Sequence, residues 1–353
     1  MIIEIIPCLS DNYSYVISEK ETDTISIVDP SEFKACDKVI NKYKKLDFIL
    51  NTHHHTDHVG ANLELKKKYN SKILGSSSDQ IFELICKAYL KKGDEVVVPK
   101  YSFIIYRIYS KNNGAKVVFA KEKNFTVSVK EILAKVSKKT KIVFLANPNN
   151  PTGTLVNKKD LLSLRRKLRN DILLVIDDAY FEYVNQKNFQ SGLKLFKKNR
   201  NVLITRTFSK IYGLAGLRVG WGYASQEIIN ALNKIKPPFN VSRPALFAAS
   251  AAVKDGNWLK KEIKHINKWN KILFNIFKKM KIETNESESN FLLVNFDRVT
   301  ISSNKVFKKL ANLGILVRKM EVYGIKNSLR ITIGKSEENR KLISILRRIL
   351  NVR

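Results

Sequence analysis

Lys141-Ile142-Val143-Phe144-Leu145-Ala146-Asn147-Pro148-Asn149-Asn150-Pro151-Thr152-Gly153 is the stretch on which the reading of the fold turns. Its first half is a short apolar run of strand length, and its second half consists almost entirely of turn formers. A strand that ends this way sets the asparagines at its carboxyl edge, where open α/β sheets bind their ligands. Any Asn/Pro/Gly cluster makes a turn, so the stretch alone marks a strand end and not yet a function.

The pattern repeats on both sides. β-branched runs at Glu95-Val96-Val97-Val98, Ala115-Lys116-Val117-Val118-Phe119, Ile172-Leu173-Leu174-Val175-Ile176 and Val202-Leu203-Ile204 alternate with amphipathic stretches over 127–136 and 160–168. Strand, helix, strand at this spacing predicts an α/β fold with a mostly parallel sheet and helices on both faces. After Ser225 long helices are predicted over 228–236 and 257–281. Strands at Phe291-Leu292-Leu293-Val294-Asn295 and Ser328-Leu329-Arg330-Ile331-Thr332 follow, with a helix over 305–313 and a last one from Glu337. This tail predicts a smaller C-terminal α/β domain.

The strand after the quoted stretch ends in Asp177-Asp178-Ala179-Tyr180. A carboxylate at a buried strand end is costly unless a positive group meets it, and a protonated pyridine nitrogen is such a group. Next comes Arg206-Thr207-Phe208-Ser209-Lys210-Ile211-Tyr212-Gly213-Leu214-Ala215-Gly216-Leu217-Arg218. A lysine among hydroxyls and apolar residues can condense with an aldehyde once its amine is desolvated, and Arg218 offers a planar charged fork to a phosphate. A lone lysine is nearly always a surface charge; the ordered set Asn150, Asp177, Tyr180, Lys210, Arg218 and Arg330 is what distinguishes this one.

Residues 147–153, 177–180, 205–222 and 329–334 together resemble histidinol-phosphate aminotransferases, of the fold-type I pyridoxal phosphate (PLP) aminotransferases. The similarity runs from about residue 75 to the C-terminus. The resemblance implies that Lys210 holds the cofactor covalently and moves the substrate α-proton, that Asp177 pairs with the pyridine nitrogen, and that Asn150 and Tyr180 bind the 3′ oxygen. It implies Thr207, Ser209 and Arg218 on the phosphate, backbone donors from the helix start at Ser78 and Asp79, Tyr101 stacked on the ring, and Arg330 on the substrate carboxylate. The implied reaction passes the amino group of L-histidinol phosphate to 2-oxoglutarate in a homodimer, so the partners are an amino donor and a 2-oxo acid. Transamination of aromatic amino acids and decarboxylation of a phosphothreonine-type substrate are the neighbouring chemistries.

The first 75 residues carry a different signature. Ile6-Pro7-Cys8-Leu9-Ser10-Asp11-Asn12-Tyr13, Val28-Asp29-Pro30 and Thr52-His53-His54-His55-Thr56-Asp57-His58 resemble hydroxyacylglutathione hydrolase (glyoxalase II), of the metallo-β-lactamase fold. That resemblance implies His53 and His55 on one zinc and Asp57 with His58 on a second, where a metal-bound hydroxide attacks a thioester. A complete site needs further histidines from later in that fold, and the one histidine after His58 is His265. An incomplete site holding at most adventitious zinc is therefore expected. The division predicted is a partial metallo-β-lactamase-like segment over 1–75, a PLP-binding large domain over 76–235, and linking helices with a small domain over 236–353. On this division the family's N-terminal arm, which covers the substrate and lends a tyrosine to the neighbouring subunit's phosphate site, is missing. Gln80 also stands where an acidic residue is expected. The alternative functions are a zinc-dependent hydroxyacylglutathione thioester hydrolase and a catalytically impaired fusion of the two.

Composition bounds the rest. With 353 residues, 44% hydrophobic and 27% charged, the chain reads as soluble and globular. Its net charge of +32 comes mostly from lysines scattered along helix positions, without an Arg-rich tail, so no specific nucleic-acid partner is expected. No apolar run approaches a membrane span, the start is a poor signal peptide, and three cysteines without paired spacing suit a reducing compartment. The expected location is the cytoplasm.

Overall fold

The computed structural model describes residues 2–9, 12–19, 21, 23–50, 60–62, 64–65, 73–75 and 77–351. The motif residues His53, His55, Asp57 and His58 lie outside the described residues. In chain order the first elements are β1 (Ile2–Cys8), β2 (Asn12–Glu19), β3 (Thr24–Val28), α1 (Phe33–Ile40), β4 (Phe48–Leu50), β5 (Ile73–Gly75), α2 (Ser78–Tyr89), β6 (Glu95–Pro99), α3 (Ile104–Asn112) and β7 (Lys116–Ala120). They are followed by β8 (Glu122–Lys123), β9 (Thr126–Val127), α4 (Val129–Lys135), β10 (Thr140–Ala146), α5 (Lys158–Lys167), β11 (Leu173–Asp177), α6 (Gly192–Phe196), β12 (Val202–Thr207) and β13 (Gly220–Tyr223). The chain ends with α7 (Gln226–Ile235), α8 (Arg243–Lys254), α9 (Gly256–Lys279), β14 (Glu283–Thr284), β15 (Phe291–Asn295), α10 (Ser303–Asn312), β16 (Arg318–Lys319), β17 (Ser328–Thr332) and α11 (Ser336–Leu350). No helix among the described residues is long and apolar enough to cross a membrane.

Two compact units interleave along the chain: Met1–Ala88 with Phe196–Lys254, and Tyr89–Leu195 with Asp255–Arg353. In the first unit β1, β2 and β3 form an antiparallel meander and β4 adds in parallel after α1. Strict alternation sends Ile6, Cys8, Val16, Ile25 and Ile27 inward, where Cys36 and Ile40 of α1 cover them. The opposite face shows Ile3, Ile5, Tyr13 and Tyr15 to solvent. The same unit holds β12, β13 and β5, paired antiparallel, and a core of Phe208, Val219, Ala245 and Ala249.

In the second unit the order is β11-β10-β6-β7, all parallel. Every residue of β6 and β11 is buried, as strands covered on both faces must be. The helices between them start where a side chain can accept an orphan N–H: Ser128 takes that of Glu131 and Asn157 that of Asp160. At the other end of α5 the buried Arg165 guanidinium donates to the carbonyls of Leu168, Arg169 and Ile172, closing the helix onto the strand that follows. A second sheet, β14-β15-β17-β16, is antiparallel, and its register sets Arg330 opposite Leu293. The sheets are thus mixed, with the parallel run confined to the apolar strands that predicted it.

Candidate active site

In the second unit the turn after β10 is tied by its own side chains. Asn147 accepts the Val156 N–H at 2.8 Å and donates back to the Val156 carbonyl at 3.1 Å, while Asn149 donates to the Thr152 hydroxyl at 3.0 Å. Gly153 closes the turn at φ +74°, and a Cβ there would lie 2.8 Å from Ser287 Cβ, so only glycine fits. Asn150, 7% exposed, turns its Oδ1 to Arg330, whose Nη1 donates at 2.6 Å. The Arg330 guanidinium lies 4.8 Å from the Phe291 ring centroid, and Tyr180 meets the same ring edge-on at 5.2 Å. Asn150, Tyr180 and Arg330 therefore share one cluster, assembled on Phe291.

Asp177 ends β11 with its carboxylate buried. Its Oδ2 accepts the Tyr106 hydroxyl at 2.6 Å and its Oδ1 the Ala179 N–H at 3.2 Å. Tyr106 is itself fully buried and stacked on Phe144 at 4.7 Å, so the donor is fixed by packing from below. The next residue, Asp178, accepts the Gly192 N–H at 2.8 Å. The Tyr101 ring packs against Phe125 at 5.5 Å with the Lys100 ammonium 5.1 Å from its centroid.

The first unit carries the other half of the predicted residues. Thr207 ends β12, and its hydroxyl accepts the Ser209 N–H at 3.0 Å. Arg218 stands in the left-handed region at φ +54° and reaches the Ser209 hydroxyl at 3.3 Å, the Ala215 carbonyl at 3.0 Å and Asp79 Oδ2 at 2.8 Å. Lys210 opens a turn in which its carbonyl accepts the Gly213 N–H at 2.9 Å. The loop is pinned at both ends, Phe208 N–H to the Val219 carbonyl and Leu214 N–H to the Phe208 carbonyl. Ser78 and Asp79 form the first turn of α2, whose start is capped by the Ser77 hydroxyl.

These donors and acceptors fit PLP. Two hydroxyls and a guanidinium within one short loop are the set that holds a phosphate monoester. A buried carboxylate with a tyrosine hydroxyl behind it suits a cationic ring nitrogen. Tyr106 belongs to no motif and is not legible in the sequence, whereas Phe291 opens a predicted strand but its place under Arg330 and beside Tyr180 appears only in the fold. Among the described residues no group of three or more His, Cys, Asp or Glu side chains is placed to hold a metal.

The chain matches the family model for aminotransferase class I and II over residues 32–346. It is 53% identical to a histidinol-phosphate aminotransferase of Pelagibacter ubique over 294 residues, 82% of this chain and 81% of that protein. A second histidinol-phosphate aminotransferase, from Rhodopseudomonas palustris strain BisB18, is 42% identical over 77% of this chain and 74% of its own length. The fold agrees with the crystal structure of histidinol-phosphate aminotransferase from Sinorhizobium meliloti in complex with pyridoxal-5′-phosphate: the TM-score is 0.75 at 24% identity, over 82% of this chain and 80% of that one. The family match opens at residue 32, well before residue 75 where the sequence resemblance was placed, and so runs through the stretch with the hydrolase-like motif. By these matches the chain belongs to the class I and II aminotransferase family of PLP-dependent enzymes.

Proposed function

We propose that this chain transfers the amino group of L-histidinol phosphate to 2-oxoglutarate, giving imidazole-acetol phosphate and glutamate. The substrate assignment follows the names of its relatives, and the observation that carries the chemistry is the Asp177 carboxylate, buried at a strand end with the Tyr106 hydroxyl 2.6 Å from it. PLP, when bound, supplies an aldehyde and an electron-withdrawing ring.

The chain's own residues do the rest. Asp177 would hold the ring nitrogen in its protonated state, and Asn150 with Tyr180 would donate to the 3′ oxygen. Thr207, Ser209 and Arg218, with the backbone of Ser78 and Asp79, would take the phosphate. Lys210 would hold the cofactor through Nζ and, as the free amine, would take the proton from the substrate α-carbon. Arg330 would receive the carboxylate of 2-oxoglutarate or of the glutamate formed from it, and Tyr101 would cover the ring. The family's homodimer is part of the proposal.

The test is amino transfer by the purified chain with PLP, comparing histidinol phosphate with aromatic amino acids as donor. Equal or better turnover of phenylalanine or tyrosine would move the assignment to aromatic transamination. No transfer from any of them would end it.

For residues 1–75 the partial metallo-β-lactamase-like reading is kept as a second, narrower proposal, supported by the four-stranded sheet β1-β2-β3-β4 with α1 on one face. Zinc analysis of the purified chain and of a His53→Ala/His55→Ala variant tests it: equal metal content in the two removes any role for the motif.

A further inference from the structure

Glu122, in β8, accepts the backbone N–H of Tyr101 through Oε1 at 3.0 Å, while its buried Oε2 has no hydrogen-bond partner among the described residues. Tyr101 is also held at its carbonyl, where Asn149 Nδ2 donates at 3.4 Å. The ring is held by Phe125, which follows β8 in the same hairpin, and the register Glu122↔Val127 and Lys123↔Thr126 fixes that hairpin's width. Asn124 and Phe125 both stand in the left-handed region, at φ 49° and 59°. For Phe125 this conformation is costly, because its Cβ crowds the backbone, and it persists where surroundings over-determine it. Here they do: the Thr154 hydroxyl donates to the Phe125 carbonyl at 2.8 Å, so the strained turn is bonded to the loop that carries Asn149 and Asn150.

A carboxyl group placed this way is a poor contributor to stability. One oxygen is left buried and unsatisfied, and burial pushes the group up to about 7, against the Tyr101 N–H and the nearby Lys100 charge, which both pull it down. An apolar residue would fill the same space without that cost, and would leave the Tyr101 N–H without this acceptor.

We propose that Glu122 is a positioning residue for Tyr101: it fixes the backbone from which the ring projects, while Phe125 of the same hairpin fixes the ring's tilt. The inference rests on the assignment of Tyr101 to the cofactor ring. Glu122 itself touches neither cofactor nor substrate in this scheme and acts through Tyr101.

The experiment is titration of the apo-protein with PLP, read by cofactor absorbance, for the wild type and for Glu122→Ala, Glu122→Gln and Tyr101→Ala. Loss of the acceptor in Glu122→Ala weakens PLP binding about tenfold and displaces the absorption spectrum in the direction of Tyr101→Ala. Glu122→Gln keeps an acceptor oxygen in the same place and matches the protonated form of the native carboxyl; it restores affinity to within about twofold of wild type. If Glu122→Ala does not melt cooperatively, Glu122→Leu takes its place, since it keeps the buried volume and removes only the acceptor. Wild-type affinity and spectrum in Glu122→Ala or Glu122→Leu, with weakened binding in Tyr101→Ala, overturn the inference and leave the Tyr101 assignment standing. Glu122→Gln as weak as Glu122→Ala also overturns it, because the acceptor is then not what matters. Wild-type behaviour of Tyr101→Ala overturns that assignment, and the inference with it.

Discussion

Arg330 and Asn150 are joined by a hydrogen bond of 2.6 Å, from Nη1 of one to Oδ1 of the other, across 180 residues of sequence. The bond links the residue assigned to the substrate carboxylate with one assigned to the cofactor's 3′ oxygen. Arg330 is further immobilised over Phe291, and its buried Nε has no hydrogen-bond partner among the described residues. A buried donor in that state is costly until an acceptor arrives, which favours a carboxylate in the same plane.

Arg330→Lys keeps the charge and loses the planar fork. Its KM for 2-oxoglutarate is expected to rise by about 10- to 100-fold, the range for a charge-assisted hydrogen bond of about 1.5–3 kcal/mol. Steady-state kinetics at saturating PLP decides it, and a KM within about twofold of wild type would remove Arg330 from the carboxylate site.

Tyr106→Phe keeps the stack on Phe144 and removes the donor to Asp177. Because the carboxylate stays buried and loses a short, charge-assisted bond, the apo-protein is expected to lose about 1.5–3 kcal/mol of stability in urea unfolding. The PLP absorption should shift as well, since the group assigned to the ring nitrogen is then oriented by the Ala179 N–H without the tyrosine hydroxyl. Unfolding midpoints that coincide would show that the hydroxyl contributes nothing to holding Asp177.

What the sequence disclosed about this site follows from how local each signal was. β10 and β11 were legible because strands covered on both faces read as nearly continuous apolar runs, with the Asn/Pro/Gly turn after the first and Asp177 closing the second. β13 was not, since Gly220-Trp221-Gly222-Tyr223 has two glycines in four residues and takes its strand conformation from pairing with β12 and β5. α3 and α8 were missed for a related reason: α3 follows a Pro99-to-Ser102 turn without a side-chain cap, and the helical pattern of α8 is weak beside that of α9. Tyr106 lies 71 residues from Asp177, so no spacing rule reaches it. The interleaving of the two units was equally hidden, because the chain leaves one near Tyr89 and returns at Phe196 without a compositional break.

Asp79→Asn tests the phosphate cluster. The Arg218 to Asp79 pair, at 2.8 Å, is half exposed, so its removal should change stability by less than about 1 kcal/mol. The same carboxylate competes with an anion for the guanidinium. Inorganic phosphate is therefore expected to bind the apo-variant about threefold more tightly than wild type by calorimetry, while Arg218→Ala loses the binding. Weaker phosphate binding in Asp79→Asn would mean that the carboxylate orients Arg218 rather than competing for it.

Reduction with borohydride after incubation with PLP should leave a pyridoxyl group on Lys210 and on no other lysine, as located by peptide mass. Lys210→Ala serves as the control. The specificity is a demanding outcome in a chain whose Lys and Arg number 64. Labelling unchanged in the control would place the reactive amine elsewhere.

Glu122 also sets a pH dependence whose sign is fixed by the direction of its shift. Burial holds its carboxyl near 7 in the folded chain, above the ordinary carboxylate range that applies once the chain unfolds. Between those two values the unfolded chain has released the proton that the folded chain keeps, so this group's contribution to stability falls as pH rises, and it levels off above about 7. Glu122→Gln has no proton to release, and the remaining titrating groups are common to both proteins. The difference in melting temperature, variant minus wild type, should therefore grow from pH 4.5 to pH 7.5 and then stay flat. A difference that is constant over that range would show that Glu122 titrates as an exposed carboxylate does, with its Oε2 in water.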